Sequence, residues 1–415
     1  MNSITDNATV TPLSVQQNNW ADRLLMAGLM LYAFSSTFSI AASQTGLSLA
    51  LIAFISLYRN GKVNFKPTSF AGPYAFLVLA GILAVFRAEY SVRALSEIKS
   101  FLVIFALYLI YWPDTIADRR SLVLNTYLLS ASLIAAYSCA HSYIFMRLGD
   151  HAHGFFSTSI TFGECQALAA LALIHKLVAE HQDKGKKLFW MLALIMTMAS
   201  MLLSFTRGAW MGFIAGFAVL FVGFPRRLLP IVIVSILSIA LAINFSPYLR
   251  ERVSGFDLSR ILSTADKSFE QNFESVAIMS SFHRLYIWQR GYVMLGENNV
   301  FGIGAKNMKY SYRRLASEFE RENNLIWSHQ HNNFMQMLLS YGFIGLIAFF
   351  YFILSLGKFA LSATDNNKYG ALAILACFLT FGLTEHSWGD EEVIMMAFFL
   401  TGLMLSSTAK NESQV

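Results

Sequence analysis

The chain has 415 residues, 55% of them hydrophobic and 13% charged, with a mean hydropathy of +0.49. Soluble domains carry roughly a quarter charged residues, so this balance excludes an ordinary soluble protein and points to the membrane. The formal charge of +6 is not gathered into a basic stripe with interleaved stacking aromatics, which excludes a nucleic-acid partner.

Residues 1–17 are polar and lack the basic start and small-residue cleavage site of a secretory signal, so they read as a short cytoplasmic tail. A spanning helix needs ~20 largely apolar residues, and the pattern predicts about twelve spans. They run at approximately 24–40, 47–58, 70–86, 101–112, 122–146, 162–177, 189–205, 210–224, 228–245, 334–356, 369–383 and 393–405. Short cytoplasmic loops retain Lys and Arg. Placing both termini inside accounts for Arg59, Lys62 and Lys66, then Arg119 and Arg120, then Lys176, Lys184, Lys186 and Lys187, then Arg226 and Arg227, then Lys358 and Lys368. Arg87, Arg93, Lys99, Arg147 and Arg207 fall on the other side, against the trend. Cys139, Cys165 and Cys377 lie within or beside spans, which argues against a disulfide framework. The expected fold class is an all-α polytopic membrane protein.

The long hydrophilic stretch 246–330 then faces the periplasm, dividing the chain into helices 1–9 (1–245), a periplasmic loop domain (246–332) and helices 10–12 (333–415). Within the loop, Leu285, Trp288, Tyr292 and Leu295 recur at helical spacing, predicting an amphipathic helix over 280–295 that Gly296 ends. A second helical stretch covers 306–323, with a turn at Phe301-Gly302-Ile303-Gly304 between them. Long loops with helices of their own are often functional.

The sharpest local feature is His331-Asn332 followed, nine residues on, by Gly342-Phe343-Ile344-Gly345. If the helix already runs at His331, eleven residues turn it by about 1100°, bringing Gly342 within roughly 20° of the histidine face. Small residues at this spacing most commonly permit close helix packing. An ionisable group at this depth is costly, which favours a function for His331. A helix N-terminus disfavours imidazolium, leaving a neutral ring suited to general-base work. His329 would share a metal ion with His331 only on an extended backbone, because residues two apart on a helix point to different faces. Asp150, His151 and His153 form another loose ligand-like set that reads better as a solvated turn.

Arg207, in Thr206-Arg207-Gly208-Ala209-Trp210, reads either as lipid-headgroup contact or as a clamp on a diphosphate, whose oxygens guanidinium binds bidentately. Arg284 has the same functional reading, with an exposed loop arginine as its plain one. Trp288 and Arg290 follow it on the predicted loop helix. The acidic outer loop Glu385-His386-Ser387-Trp388-Gly389-Asp390-Glu391-Glu392 would hold a sugar acceptor or a metal, or is simply solvated. With no Asp-x-Asp in the chain, a divalent ion bridging donor phosphates lacks its usual ligands.

Thr206 to Trp210, the stretch 284–291 followed by 301–304, and His331-Asn332 with Gly342 and Gly345 resemble the O-antigen ligase family, related to O-antigen polymerases and protein-glycosylating ligases. With the layout of about twelve spans and the long loop before the tenth, the likeness extends over almost the whole chain. The resemblance implies a bacterial inner-membrane enzyme that moves O-antigen polysaccharide from undecaprenyl diphosphate to the lipid A core of lipopolysaccharide, at the periplasmic face and with inversion. The expected catalytic residues are His331, Arg207 and Arg284. Asn332, Trp288, Arg290, Gly342, Gly345 and Asp390 are expected to bind substrate, with no metal and no cofactor. The donor, the core acceptor and inner-membrane lipids are the expected partners. A polymerase with the same donor chemistry is the nearest alternative. A transporter or flippase is a further one, which usually shows ionisable sites near the bilayer midplane and a repeat between halves.

Overall fold

The computed structural model describes residues 20–63, 68–145, 151–230, 233, 279–296 and 299–412. Among these residues all regular structure is helical. The first helices are α1 (Trp20–Ser35), α2 (Ile40–Arg59), α3 (Ala71–Arg87) and α4 (Ser91–Glu97), which runs through a 3-10 turn (Ile98–Ile104) into α5 (Phe105–Tyr111). Next come α6 (Asp114–Phe145), α7 (Ser159–Ala179), α8 (Lys184–Leu203) and α9 (Arg207–Gly223). The loop helices are α10 (Met279–Leu295), α11 (Met308–Leu315) and α12 (Glu318–Glu322); the chain closes with α13 (Asn333–Ser362), α14 (Asn367–Phe381) and α15 (Glu391–Glu412).

Among the described residues six helical stretches are long and apolar enough to cross a membrane: Ile40–Arg59, Ser91–Tyr111, Arg119–Ile144, Ser159–Ala179, Lys184–Leu203 and Asn333–Ser362. Apolar helices Ala71–Arg87, Arg207–Gly223 and Asn367–Phe381 are shorter. Many outward side chains are apolar, among them Ile195 (54% exposed) and Ile347 (61%), as on a surface facing lipid rather than water. The expected span at 228–245 lies almost entirely outside the described residues, as does 246–278 of the long loop.

Local chemistry explains the helix starts. Ser39, Thr158 and Asn332 each take extended backbone and accept a backbone N–H of the first turn of α2, α7 and α13, satisfying a donor with no intrahelical partner. The predicted helix at 306–323 is two helices. Ala316 is extended, and Ser317 starts a new turn through reciprocal bonds with Glu320, a capping box.

The predicted continuity of a helix from His331 past Gly342 does not hold. Helix α13 begins at Asn333, and Gly342 (φ 68°, ψ −167°) breaks it. That backbone region is essentially open to glycine alone. The break frees backbone groups that must be paired, and the segment 299–304 pairs them. Ile303 and Gly304 N–H donate to the carbonyls of Leu339 and Ser340 (2.9 and 3.0 Å), while Phe343 and Ile344 N–H donate to those of Asn299 and Val300 (2.8 and 3.3 Å). A Cβ on Gly342 would lie 2.2 Å from the Val300 carbonyl oxygen. The turn anticipated at 301–304 is therefore the plug of a broken helix, and it ties the loop helices to the bundle.

Candidate functional site

The site is built on the chain that enters α13. Gln330 is fully buried: its N–H donates to Gln336 Oε1 and its carbonyl accepts from Trp288 Nε1, both at 2.8 Å. Arg284, Trp288 and Gly291 lie four and three residues apart on α10 and so share a face. A Cβ on Gly291 would sit 2.5 Å from the Gln330 amide. Trp288 and the bare glycine thus seat the chain just ahead of His331, which takes a left-handed backbone (φ 47°). That conformation costs a non-glycine residue about 1–3 kcal/mol and persists only where surrounding contacts impose it.

Asn332 caps α13 and donates through Nδ2 to the Leu383 carbonyl (2.9 Å); Asn333 N–H donates to the Gly382 carbonyl (2.7 Å) and its Oδ1 accepts from Trp388 N–H (2.9 Å). The loop between α14 and α15 is thereby stitched to the start of α13. It is also fastened to α7, where Ser387 Oγ donates to Glu164 Oε1 (3.0 Å) and Thr161 Oγ1 donates to Asp390 Oδ2 (2.6 Å). Trp388 packs edge-on against Phe349 (ring centroids 5.1 Å).

These anchors bring Glu385 to His331. Glu385 Oε2 lies 2.9 Å from His331 Nδ1, and its Oε1 accepts from the Arg284 guanidinium. Burial alone would push the Glu385 carboxyl up, but the His331 and Arg284 contacts outweigh it and hold the group below the usual carboxylate range. An ionised carboxylate only accepts, so a neutral His331 carries its proton on Nδ1 and leaves Nε2 as the acceptor. Around it, burial and the neighbouring imidazoles push His329 down to about 4 and His386 to about 3. The His329 and His331 rings are 4.1 Å apart, centre to centre. Among the described residues no group of three or more His, Cys, Asp or Glu is arranged to hold a metal ion.

The remaining predicted residues divide. Arg207 opens α9, whose next residue, Gly208, packs on the Glu385 side of the α14–α15 loop; a Cβ there would lie 2.6 Å from Thr384 Oγ1. Asp390 shares that loop and caps α15 through the Val393 N–H (3.4 Å). Arg290 lies on another face of α10, paired with fully buried Glu320, which also accepts from Tyr286 (2.8 Å) and Tyr312 (2.6 Å). Gly342 is occupied by the helix break, and Gly345 sits under Tyr341, so neither floors a groove beneath His331. His151 and His153 face the carbonyls of Ser204 and Phe156 (2.9 and 3.2 Å), while Asp150 lies outside the described residues. Sequence reasoning missed Glu385 as the partner of His331 and Arg284. Its signal was the acidic outer loop from Glu385 to Glu392, read as holding a sugar acceptor or a metal or as simply solvated.

Two comparisons with known proteins bear on the site. The O-antigen ligase family model matches residues 191–350, less than half the chain but including Arg207, Arg284, Trp288, His331, Asn332, Gly342 and Gly345. A Rickettsia conorii protein named by inference as a polysaccharide ligase is 32% identical over 106 residues, covering 25% of this chain and 25% of that protein. Among the described residues the regular structure is helical, with several apolar helices of membrane length, which fits a membrane protein. Residues 191–350 are thus similar to the O-antigen ligase family, over a smaller part of the chain than the sequence resemblance implied.

Proposed function

We propose that this protein is a glycosyltransferase of the bacterial inner membrane that ligates O-antigen polysaccharide from undecaprenyl diphosphate to the lipid A core of lipopolysaccharide. The observation that carries the proposal is the His331–Glu385–Arg284 cluster: a histidine with one nitrogen fixed by a carboxylate and a guanidinium on the same carboxylate. His331 Nε2 takes the proton of a core-sugar hydroxyl, a general-base task. The oxygen attacks the anomeric carbon from the face opposite the diphosphate, and the bond to the diphosphate breaks with its electron pair. Arg284 and Arg207 neutralise the departing charge. One displacement inverts the anomeric centre, and arginine charge substitutes for a metal.

The topology that serves this chemistry has about twelve spans, both termini cytoplasmic, and the segment 246–332 with the α14–α15 loop on the periplasmic side. Asn332 and Trp288 act by holding the approach to His331, Asp390 by fixing the loop that carries Glu385, and Gly342 with Gly345 by shaping the helix break. Arg290 shapes the loop from which Arg284 reaches the site. A deletion strain tests the function: core-linked polymer disappears while lipid-linked polymer accumulates, and the wild-type gene restores ligation. A core carrying a single repeat indicates a polymerase instead, and unchanged lipopolysaccharide refutes both.

A further inference from the structure

At the far end of α7 from Glu164 and Thr161 lies a cavity of about 950 Å³, between the exit of α7, the first turns of α8 and the chain after α9. Small-molecule sites run to about 1,000 Å³, so this is room for a sizeable group. Helix α7 has 21 residues; at 1.5 Å per residue the cavity and the His331 cluster are roughly 30 Å apart. The ligation chemistry makes no use of it.

Its walls combine two kinds of chemistry. Lys187 and Arg227, both exposed, stand at the cavity with His181 beside them, and Glu180, which also lines it, is ion-paired with Lys176. Arg227 is oriented by donating to the Val178 carbonyl, and Lys187 has no ion pair among the described residues. Gln182 Nε2 donates to the Lys176 carbonyl (3.2 Å), which fixes the amide, while its Oε1 is enclosed without a partner. From this polar end an apolar wall of Met191, Leu194 and Ile195 continues along α8. Met191 and Ile195, 45% and 54% exposed, open that wall to the surroundings of the bundle.

We propose that this cavity is a binding site for an anionic membrane phospholipid whose headgroup carries a hydroxyl donor. The phosphodiester lies between Lys187 and Arg227, a headgroup hydroxyl donates to Gln182 Oε1, and an acyl chain follows the apolar wall. Basic pockets between spanning helices bind anionic headgroups in this way, and Lys187 and Arg227 belong to the clusters that the positive-inside pattern assigns to the cytoplasmic face. The apolar wall selects a lipid over a free phosphate, because only a lipid covers it.

The test uses the full-length protein in detergent, titrated with phosphatidylglycerol or with phosphatidylcholine, which has no donor and no net charge, and bound lipid counted by native mass spectrometry. Phosphatidylglycerol should be retained about tenfold better than phosphatidylcholine. The advantage should fall severalfold in the Lys187→Glu/Arg227→Gln double variant and in Gln182→Leu, with the thermal unfolding midpoint of Lys187→Glu unchanged. Millimolar inorganic phosphate should not displace the lipid. Equal retention of the two lipids, retention unaffected by all three substitutions, or displacement by phosphate alone would overturn the proposal.

Discussion

Replacing Glu385 by Gln leaves one acceptor oxygen where the wild type has two, one facing His331 Nδ1 at 2.9 Å and the other the Arg284 guanidinium. Hydrogen bonds to charged groups contribute about 1.5–3 kcal/mol, roughly twice a neutral bond, so the amide oxygen turns to Arg284. The amide N–H₂ then donates to Nδ1 and drives the imidazole proton to Nε2, where the acceptor hydroxyl needs a lone pair. The opposite amide rotamer points N–H₂ at a guanidinium and loses the charged bond, at a cost of about 2–4 kcal/mol. At about 1.4 kcal/mol per factor of ten, the competent tautomer falls to between roughly 1 in 30 and 1 in 1,000. The assay is ligation by purified protein with lipid-linked donor and core acceptor. We expect kcat to drop 30- to 1,000-fold while the donor KM changes less than tenfold. An E385Q protein that melts like the wild type and keeps kcat within threefold would refute the tautomer argument.

Gly342→Ala combines a forbidden backbone with a Cβ 2.2 Å from the Val300 oxygen; strain and overpacking together should cost about 2–5 kcal/mol, seen as a lower melting temperature and a poor folded yield. Arg290→Gln strands buried Glu320, and breaking such a pair by removing one partner costs about 3–5 kcal/mol. Activity should fall with the folded fraction while KM for the donor stays constant, and Arg290→Lys should restore part of it; a raised KM in well-folded protein would mean direct substrate contact. Glu320 also predicts a pH response. Burial alone would raise it, but Arg290, Tyr312, Ser317 and Tyr286 hold it at about 2. The folded group is thus depressed below the unfolded value, and its stabilisation is complete above ordinary carboxylate pH and lost as pH falls toward 2. Thermal melting between pH 6 and pH 2 should show this decline, and Glu320→Gln should flatten it.

Apolar runs marked the six membrane-length helices among the described residues, though not a count of about twelve, and spacing alone marked the face shared by Arg284 and Trp288. The same spacing rule separates Arg290, six residues on, from that face, although grouping by loop had put the three together. The start of α12 was written as Ser317-x-x-Glu320, a capping box inside a stretch otherwise helical by composition. The break at Gly342 was not legible, because the groups that repair it, Asn299 to Gly304, lie about forty residues upstream and leave no mark in the periodicity of α13. The His331–Glu385 pair was hidden for a like reason. Its partners are 54 residues apart, and their meeting depends on Asn332, Asn333, Ser387 and Asp390 pinning one loop to two helices. Periodicity reports which face is apolar; it does not report which loop a helix end will touch.

The most direct measurement of the central claim is single-turnover ligation in proteoliposomes containing lipid-linked glycan and lipid A core, with wild-type protein and His331→Gln compared at equal donor occupancy. Wild type should yield a covalent product with an inverted anomeric centre, and His331→Gln should bind donor normally yet form product at least a hundredfold more slowly. Product formed by the variant at the wild-type rate would contradict a catalytic role for His331.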